Sequence, residues 1–204
     1  IAPTKTNMDF FESKKINKIE NTSAHSVTIP GAVHAWYTMH QKYGCLDFQE
    51  LFLTAENYAR YGFPIYEVVA KSWAENEKKL KKHSSTSSIF LKDGKPYCYG
   101  EIHKNINLAN TLKLISKNGI KGFYEGYIAE DIVKTLNELG GLHTLNDFAK
   151  QETIFSDSLS NNYKGIKIHQ CPPNGPGITV LIMMAILEKF NFQNIDPLSI
   201  ERFH

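Results

Sequence analysis

The side chains able to do chemistry are few and scattered. His34 and His40 stand six apart on one expected helix, which turns them to opposed sides, whereas a zinc pair on a helix wants four-residue spacing with a Glu between. His103, His143 and His169 are isolated and read as surface or hydrogen-bonded core histidines. Glu125, Glu130 and Asp131 share one expected helix and read more simply as a solvated face than as a carboxylate pair for acid–base work. Cys45, Cys98 and Cys171 are an odd number at wide spacing, so neither a disulfide framework nor a zinc cluster is written here; they fit a reduced environment, and the compartment stays open. Neither Gly-x-Ser-x-Gly nor Gly-x-x-x-x-Gly-Lys-Ser/Thr occurs, which removes a nucleophile elbow and a P-loop. No catalytic residue, metal ligand or cofactor site is therefore expected within the chain.

The strongest local signal is Pro172-Pro173-Asn174-Gly175-Pro176-Gly177. Two prolines end an extended run, and Gly175 and Gly177 are expected at positive φ in a tight turn. A hydrophobic helix follows at once, so its first amides face whatever lies in front of them. Both an anion-holding loop and a plain strand-to-helix turn satisfy that pattern.

These residues must be held by a folded body. The chain has 204 residues, 42% hydrophobic and 22% charged, a composition for an ordered globular protein. Its net charge of +2 is too small for the dense cationic stripe that nucleic acid requires, so no nucleic-acid partner is expected. The longest apolar run, Ile178 to Leu187, is interrupted by Thr179 and is about half of the roughly 20 residues needed to cross a bilayer, so no membrane span is expected.

Periodicity supplies the scaffold. Residues 5–25 read as a polar, extended surface connector with one aromatic knot at Phe10-Phe11, and Ser26–Ile29 as a short strand stopped by Pro30-Gly31. Ala32, Val33, Trp36, Met39 and Tyr43 predict a helix ending at Gly44. A second helix, entered through a capping-box-like Asp47 and Glu50, runs to Tyr61, and Pro64 begins a third. The charge run Glu75–His83 and Ser84–Ser88 read as a solvated helix end and a flexible loop, followed by two extended pieces around Asp93-Gly94. Two further helices end at Asn118-Gly119 and at Gly140-Gly141, the second beginning at Gly122, and Thr144 starts a short one. An extended run through Tyr163 and His169 delivers the chain to the Pro/Gly loop, and Ser199–His204 reads as the first turns of a new helix. So many helices with so few strands predict the outer layers of a larger α/β body.

Five stretches, in this order, resemble the large-subunit region of the γ-glutamyltranspeptidase family of N-terminal-nucleophile hydrolases. They are Ala2-Pro3; Ser26–Gly31 with Tyr43-Gly44; Ala59–Pro64; Gly122–Gly126 with Ile128-Ala129, Gly140–Leu142 and Asp147-Phe148; and Pro172–Gly177 with Ile186–Glu188. The resemblance covers nearly the whole chain. It implies an α+β fold, the helix-rich portion of a four-layer αββα sandwich, with residues 1–204 part of the large-subunit region and both ends cut. It further implies γ-glutamyl transfer or hydrolysis on glutathione-like substrates by a Thr nucleophile, which autoprocessing frees in a small subunit outside this chain. The family's Arg for the substrate α-carboxylate is expected just before Ile1, and neither Arg60 nor Arg202 takes its role. Asn174, Gly175 and Gly177 are then expected near the substrate pocket. Their Asn-Gly-x-Gly pattern is more similar to γ-glutamyltransferase-like and acylase-like members, which makes a β-lactam or glutaryl acylase one alternative and a non-catalytic helical scaffold another.

Overall fold

The computed structural model describes residues 1–192 and 195–203 and divides into two units, Ile1–Thr153 and Ile154–His204. In the first unit, α1 (Met8–Ser13) forms within the expected connector because the Asn7 side chain accepts the Phe10 amide at 2.8 Å. A 3-10 turn at Ala24–Ser26 follows, with the His25 ring edge-on to Phe10 and Phe11. The aromatic knot is therefore a small packed element and not bare connector. α2 (Ala32–Tyr43) and α3 (Glu50–Tyr61) stand where periodicity placed them. Asp47 accepts the Gln49 amide at 2.7 Å, so it braces the entry to α3 without a reciprocal capping box.

Pro64 does not open a helix. It lies in β1 (Phe63–Pro64), because Gly62 at φ 97° turns the chain into extended backbone. Helix α4 (Glu67–Glu75) starts one turn later, and α5 (Glu77–Leu80) and α6 (Ser84–Phe90) follow. The serine run is thus helical: Ser87 donates to the Leu80 carbonyl and Ser88 to the Ser85 carbonyl, which satisfies hydroxyls that otherwise compete with the helix backbone. β2 (Leu91–Lys92) and β3 (Lys95–Pro96) form the expected hairpin around Asp93-Gly94, both at positive φ, and β4 (Ile102–His103) pairs antiparallel with β1.

α7 (Ile106–Asn118) is capped by Asn105 and closed by Gly119. It lies along α3, and small buried Ala59 and Ala109 sit on the two helices. The single helix expected from Gly122 is two, α8 (Lys121–Tyr124) and α9 (Tyr127–Glu138), because Gly126 at φ 65° breaks the path. α10 (Leu145–Ala149) begins with a full capping box between Thr144 and Asp147. The core of this unit is Ile29, Val33, Phe48, Phe52, Ile115, Tyr124, Ala129 and Phe148, the last two fully buried.

In the second unit, the extended run is a hairpin, β5 (Leu159–Tyr163) and β6 (Ile166–Gln170), reversed at Lys164-Gly165, both at positive φ. α11 (Gly177–Leu187) and α12 (Ile200–Phe203) complete it; His204 lies outside the described residues. Both units leave apolar surface uncovered. Trp36, Met39 and Leu51 are each at least half exposed and line an apolar groove of about 430 Å³ with Phe48, Phe52, Ala55 and Leu112. Within its own unit, α11 buries Leu181 but exposes Ile178, Ile182, Met183 and Ile186. A helix apolar all round is a helix meant to be surrounded.

One buried group makes stability depend on acid. His103 is ringed by Trp73 and Tyr97 with centroids at 5.1 Å, Phe63 at 5.7 Å and Phe90 at 6.3 Å, and burial pushes its pKa below the ordinary 6.5. The fold favours the neutral ring, so its contribution is complete above the unfolded pKa and is lost as pH falls through that value toward the folded one. Thermal unfolding should therefore shift to lower temperature between about pH 7 and pH 5, and His103→Leu should flatten that slope. An unchanged slope would place the titrating group elsewhere.

Candidate functional site

Parts of the Ser26–Gly31 and Gly122–Phe148 stretches meet the residues flanking Ala2-Pro3 in one polar knot, whereas Ala59–Pro64 lies apart, pairing with β4. The peptide from Val27 to Pro30 is held from three directions: the Val27 carbonyl accepts His143 Nε2 at 2.9 Å, the Ile29 amide donates to the Ile1 carbonyl at 2.9 Å, and the Pro30 carbonyl accepts the Tyr124 hydroxyl at 2.6 Å. This explains why the strand expected at Ser26–Ile29 joins no sheet: its backbone groups are spent on side chains and on the N-terminal segment. The His34 amide donates to the Tyr124 oxygen at 3.2 Å, and His34 Nδ1 lies 2.8 Å from Thr153 Oγ1 and 3.1 Å from Thr38 Oγ1. Burial pushes the Tyr124 phenol above its usual range, against the His34 amide that lowers it, so it stays a neutral donor.

Asp147 closes the knot. One carboxylate oxygen, Oδ2, accepts the Thr144 amide at 2.9 Å and the Thr144 hydroxyl at 2.7 Å. The other, Oδ1, accepts the Thr4 amide at 3.0 Å and the Thr4 hydroxyl at 2.8 Å. Burial opposes ionisation, but the hydrogen bonds from Thr144 and Thr4 outweigh it and bring the pKa from 3.8 down to about 2. The carboxylate's support to the fold is then complete above pH 3.8 and lost as pH falls toward 2. A cavity of about 60 Å³ lies beside the clasp, bordered by Ile1, Ala2, Ile29, Lys150 and Gln151. The spacing of Thr144 and Asp147 announces the capping box; nothing local announces Thr4, which lies 143 positions from its partner.

The Pro/Gly loop belongs to the second unit and joins β6 to α11. Asn174 and Gly175 are exposed, and no atom lies within 4 Å of a Cβ placed on Gly175. Gly177 is buried, and a Cβ there would meet the Cys171 carbonyl oxygen and Gln170 Cβ, each at 2.9 Å. Neither glycine has the positive φ expected of it. Gly177 is needed for close approach of helix and strand, and Gly175 is not required by local geometry. Asn174→Ala should change activity of the full-length protein by no more than about tenfold, since one exposed neutral hydrogen bond is worth only about 0.5–1.5 kcal/mol. A larger rise in donor KM would give Asn174 a direct ligand contact.

The other candidates have structural settings. His40 Nε2 donates to the Leu46 carbonyl at 2.8 Å, His169 Nδ1 lies 2.9 Å from Ser158 Oγ, and Glu125, Glu130 and Asp131 are exposed. Among the described residues, no group of three or more His, Cys, Asp or Glu is placed to hold a metal ion, and no helix is long and apolar enough to cross a membrane.

The knot joins the N-terminal segment, the Ile-Pro-Gly loop, the Gly-Phe-Tyr-Glu-Gly corner and the Gly-Gly-Leu-His turn. The chain belongs to the γ-glutamyltranspeptidase family, whose model matches residues 1–204. It is 33% identical over 179 residues to the glutathione hydrolase-like YwrD proenzyme of Bacillus subtilis, covering 88% of this chain and 34% of that protein. It superposes on the γ-glutamyltranspeptidase of Helicobacter pylori with a TM-score of 0.90 and 28% identity, over all of this chain and 60% of that one. With the cephalosporin acylase of Bacillus halodurans the TM-score is 0.91 and the identity 26%, over all of this chain and 39% of the other. The fold class is α+β, the helix-rich portion of the four-layer αββα sandwich of N-terminal-nucleophile hydrolases. The chain spans about a third of the length of the curated relative it matches.

Proposed function

We propose that residues 1–204 are part of the large-subunit region of a proenzyme that transfers or hydrolyses γ-glutamyl groups of glutathione-like substrates. Its nucleophile is an N-terminal Thr outside this chain, carried by a small subunit, and its own residues act as scaffold and pocket wall. In this reading the Thr hydroxyl attacks the γ-amide while its α-amine takes the hydroxyl proton and hands it to the departing amine as the C–N bond breaks; water or an amino acceptor then takes the γ-glutamyl group from the ester and frees the Thr hydroxyl. The observation that carries it is the family match over every residue of the chain. The uncovered apolar faces of α2, α3 and α11 support the small subunit and further large-subunit chain as neighbours. In this reading Asn174, Gly175 and Gly177 lie near the mouth of the glutamyl pocket and shape access without transferring protons.

The test is turnover of γ-glutamyl 4-nitroanilide by the full-length protein, with the isolated 204-residue chain inactive. Turnover by the isolated chain would overturn the assignment of the nucleophile. The likeness to a cephalosporin acylase favours a second reading, hydrolysis of an acyl side chain from a β-lactam nucleus. Preference for a glutaryl β-lactam over the γ-glutamyl anilide would establish it, and no turnover of either would leave a scaffold.

A further inference from the structure

The Gly122–Gly126 corner, which gives Tyr124 to the knot, opens a cleft on another side. Gly122 has no room for a side chain: a Cβ there would meet the Leu114 carbonyl oxygen, so α8 sits hard against α7. Four residues on, Gly126 at φ 65° turns the chain, and α9 leaves α8 without packing along α7. The gap between α7 and α9 is a cleft of about 260 Å³. Its walls are single faces of the two helices: Asn107, Asn110, Thr111 and Leu114 recur at helical spacing on α7, and Tyr127 and Asp131 stand one turn apart on α9. Buried Ile128 and half-buried Phe123 and Ile132 give it an apolar bed.

Of the residues lining the cleft, Asp131 alone is charged, and it has no ion pair among the described residues. The cations on these helices are committed elsewhere. Arg60 Nη2 donates to Glu56 Oε1 at 2.9 Å and to Asn110 Oδ1 at 3.2 Å, and Lys134 lies 4.0 Å from Glu138. The groove on α2 and α3 is lined by apolar side chains, as a covered interface is. This cleft instead sets one carboxylate and several neutral hydrogen-bonding groups over an apolar bed, the make-up of a small-molecule site.

We propose that the α7–α9 cleft binds a small organic cation, a primary ammonium on a short apolar body. Asp131 is its counter-ion, Asn107 and Thr111 accept hydrogen bonds from the remaining N–H groups, and the apolar body rests on Ile128 and Ile132. The Tyr127 ring adds the attraction of an aromatic face for a cation. Asp131 is exposed, so the pair is screened by water and the affinity is millimolar. The inference does not depend on the γ-glutamyl reading.

The probe is 4-fluorophenethylamine, titrated into the full-length protein and followed by fluorine NMR line broadening, with 4-fluorophenylacetate as its anionic counterpart. The expected result is saturable binding of the amine, with the acid bound at least about threefold more weakly. Asp131→Asn should weaken the amine about threefold to fivefold. Asn107→Arg, which sets a cation on the facing wall, should abolish binding, whereas Glu130→Gln, the same change of charge at a position outside the cleft lining, should leave it within about twofold. All three positions are exposed, so the thermal midpoints should stay at the wild-type value. Amine binding unchanged in Asp131→Asn and Asn107→Arg, equal binding of the acid, an equal loss in Glu130→Gln, or no saturable binding would each overturn the inference.

Discussion

Gly177→Val in the full-length protein should lower proenzyme processing or donor affinity by about tenfold or more, and Gly175→Val should leave both within about twofold. The contrast follows from what each new side chain would meet. At 177 a Cβ would stand 2.9 Å from the Cys171 carbonyl oxygen, a backbone atom that cannot rotate away, and 2.9 Å from Gln170 Cβ. Valine adds two methyl groups to that, so the start of α11 must move off the end of β6. Overpacking of this kind costs about 1–3 kcal/mol, and about 1.4 kcal/mol is a factor of ten. At 175 there is open space and no left-handed backbone to strain. Steady-state kinetics and gel analysis of the processed fraction read both variants. Equal effects would mean that the loop acts through its exposed tip and not through the helix it launches.

Phe148→Ala should destabilise the protein by about 3–5 kcal/mol, measured by urea unfolding. Phe148 is fully buried, with Tyr124 at a ring-centroid distance of 6.4 Å, and Asp147 beside it carries the clasp. Truncation opens a void under the knot that the rigid hydrogen-bonded loop at Val27–Pro30 is poorly able to fill. A loss below about 1 kcal/mol would show that the core closes over the site and that the knot does not depend on it.

Much of this scaffold is legible in the sequence where a local rule decides the outcome. α2, α3, α7 and α11 follow from apolar spacing, and the hairpin at Asp93-Gly94 from its turn residues. Local rules fail where a distant partner decides. Ser26–Ile29 has strand composition, yet distant partners take its backbone groups: His143, more than a hundred positions away, donates to the Val27 carbonyl, and the Ile1 carbonyl accepts the Ile29 amide. Ser84–Ser88 has loop composition, yet its hydroxyls are absorbed by nearby carbonyls and its apolar end, Ile89-Phe90, packs inward. Pro64 is a good first helical residue, but Gly62 has already turned the chain into pairing with Ile102 and His103.

The site was legible in a different sense. The order of the resembling stretches, and not any catalytic-looking side chain, pointed to the family, because the residues singled out as chemical candidates are scaffold or surface in this chain. His143 is a core donor to Val27, and Glu125, Glu130 and Asp131 are solvated. The glycines of the Pro/Gly loop were expected for conformational freedom, whereas the structure uses Gly177 for its lack of a side chain. Thr4 is invisible to any local rule and needs the fold.

The central claim is that this chain is scaffold and pocket wall for a γ-glutamyl-accepting Thr that lies outside it. The most direct measurement is mass spectrometry of the full-length protein quenched during turnover of a γ-glutamyl donor. The account predicts two processed subunits, with a single added glutamyl group on the N-terminal Thr of the small one and none on any peptide from residues 1–204. An unprocessed chain that still turns over the donor, or a glutamyl group on a residue within 1–204, would contradict it.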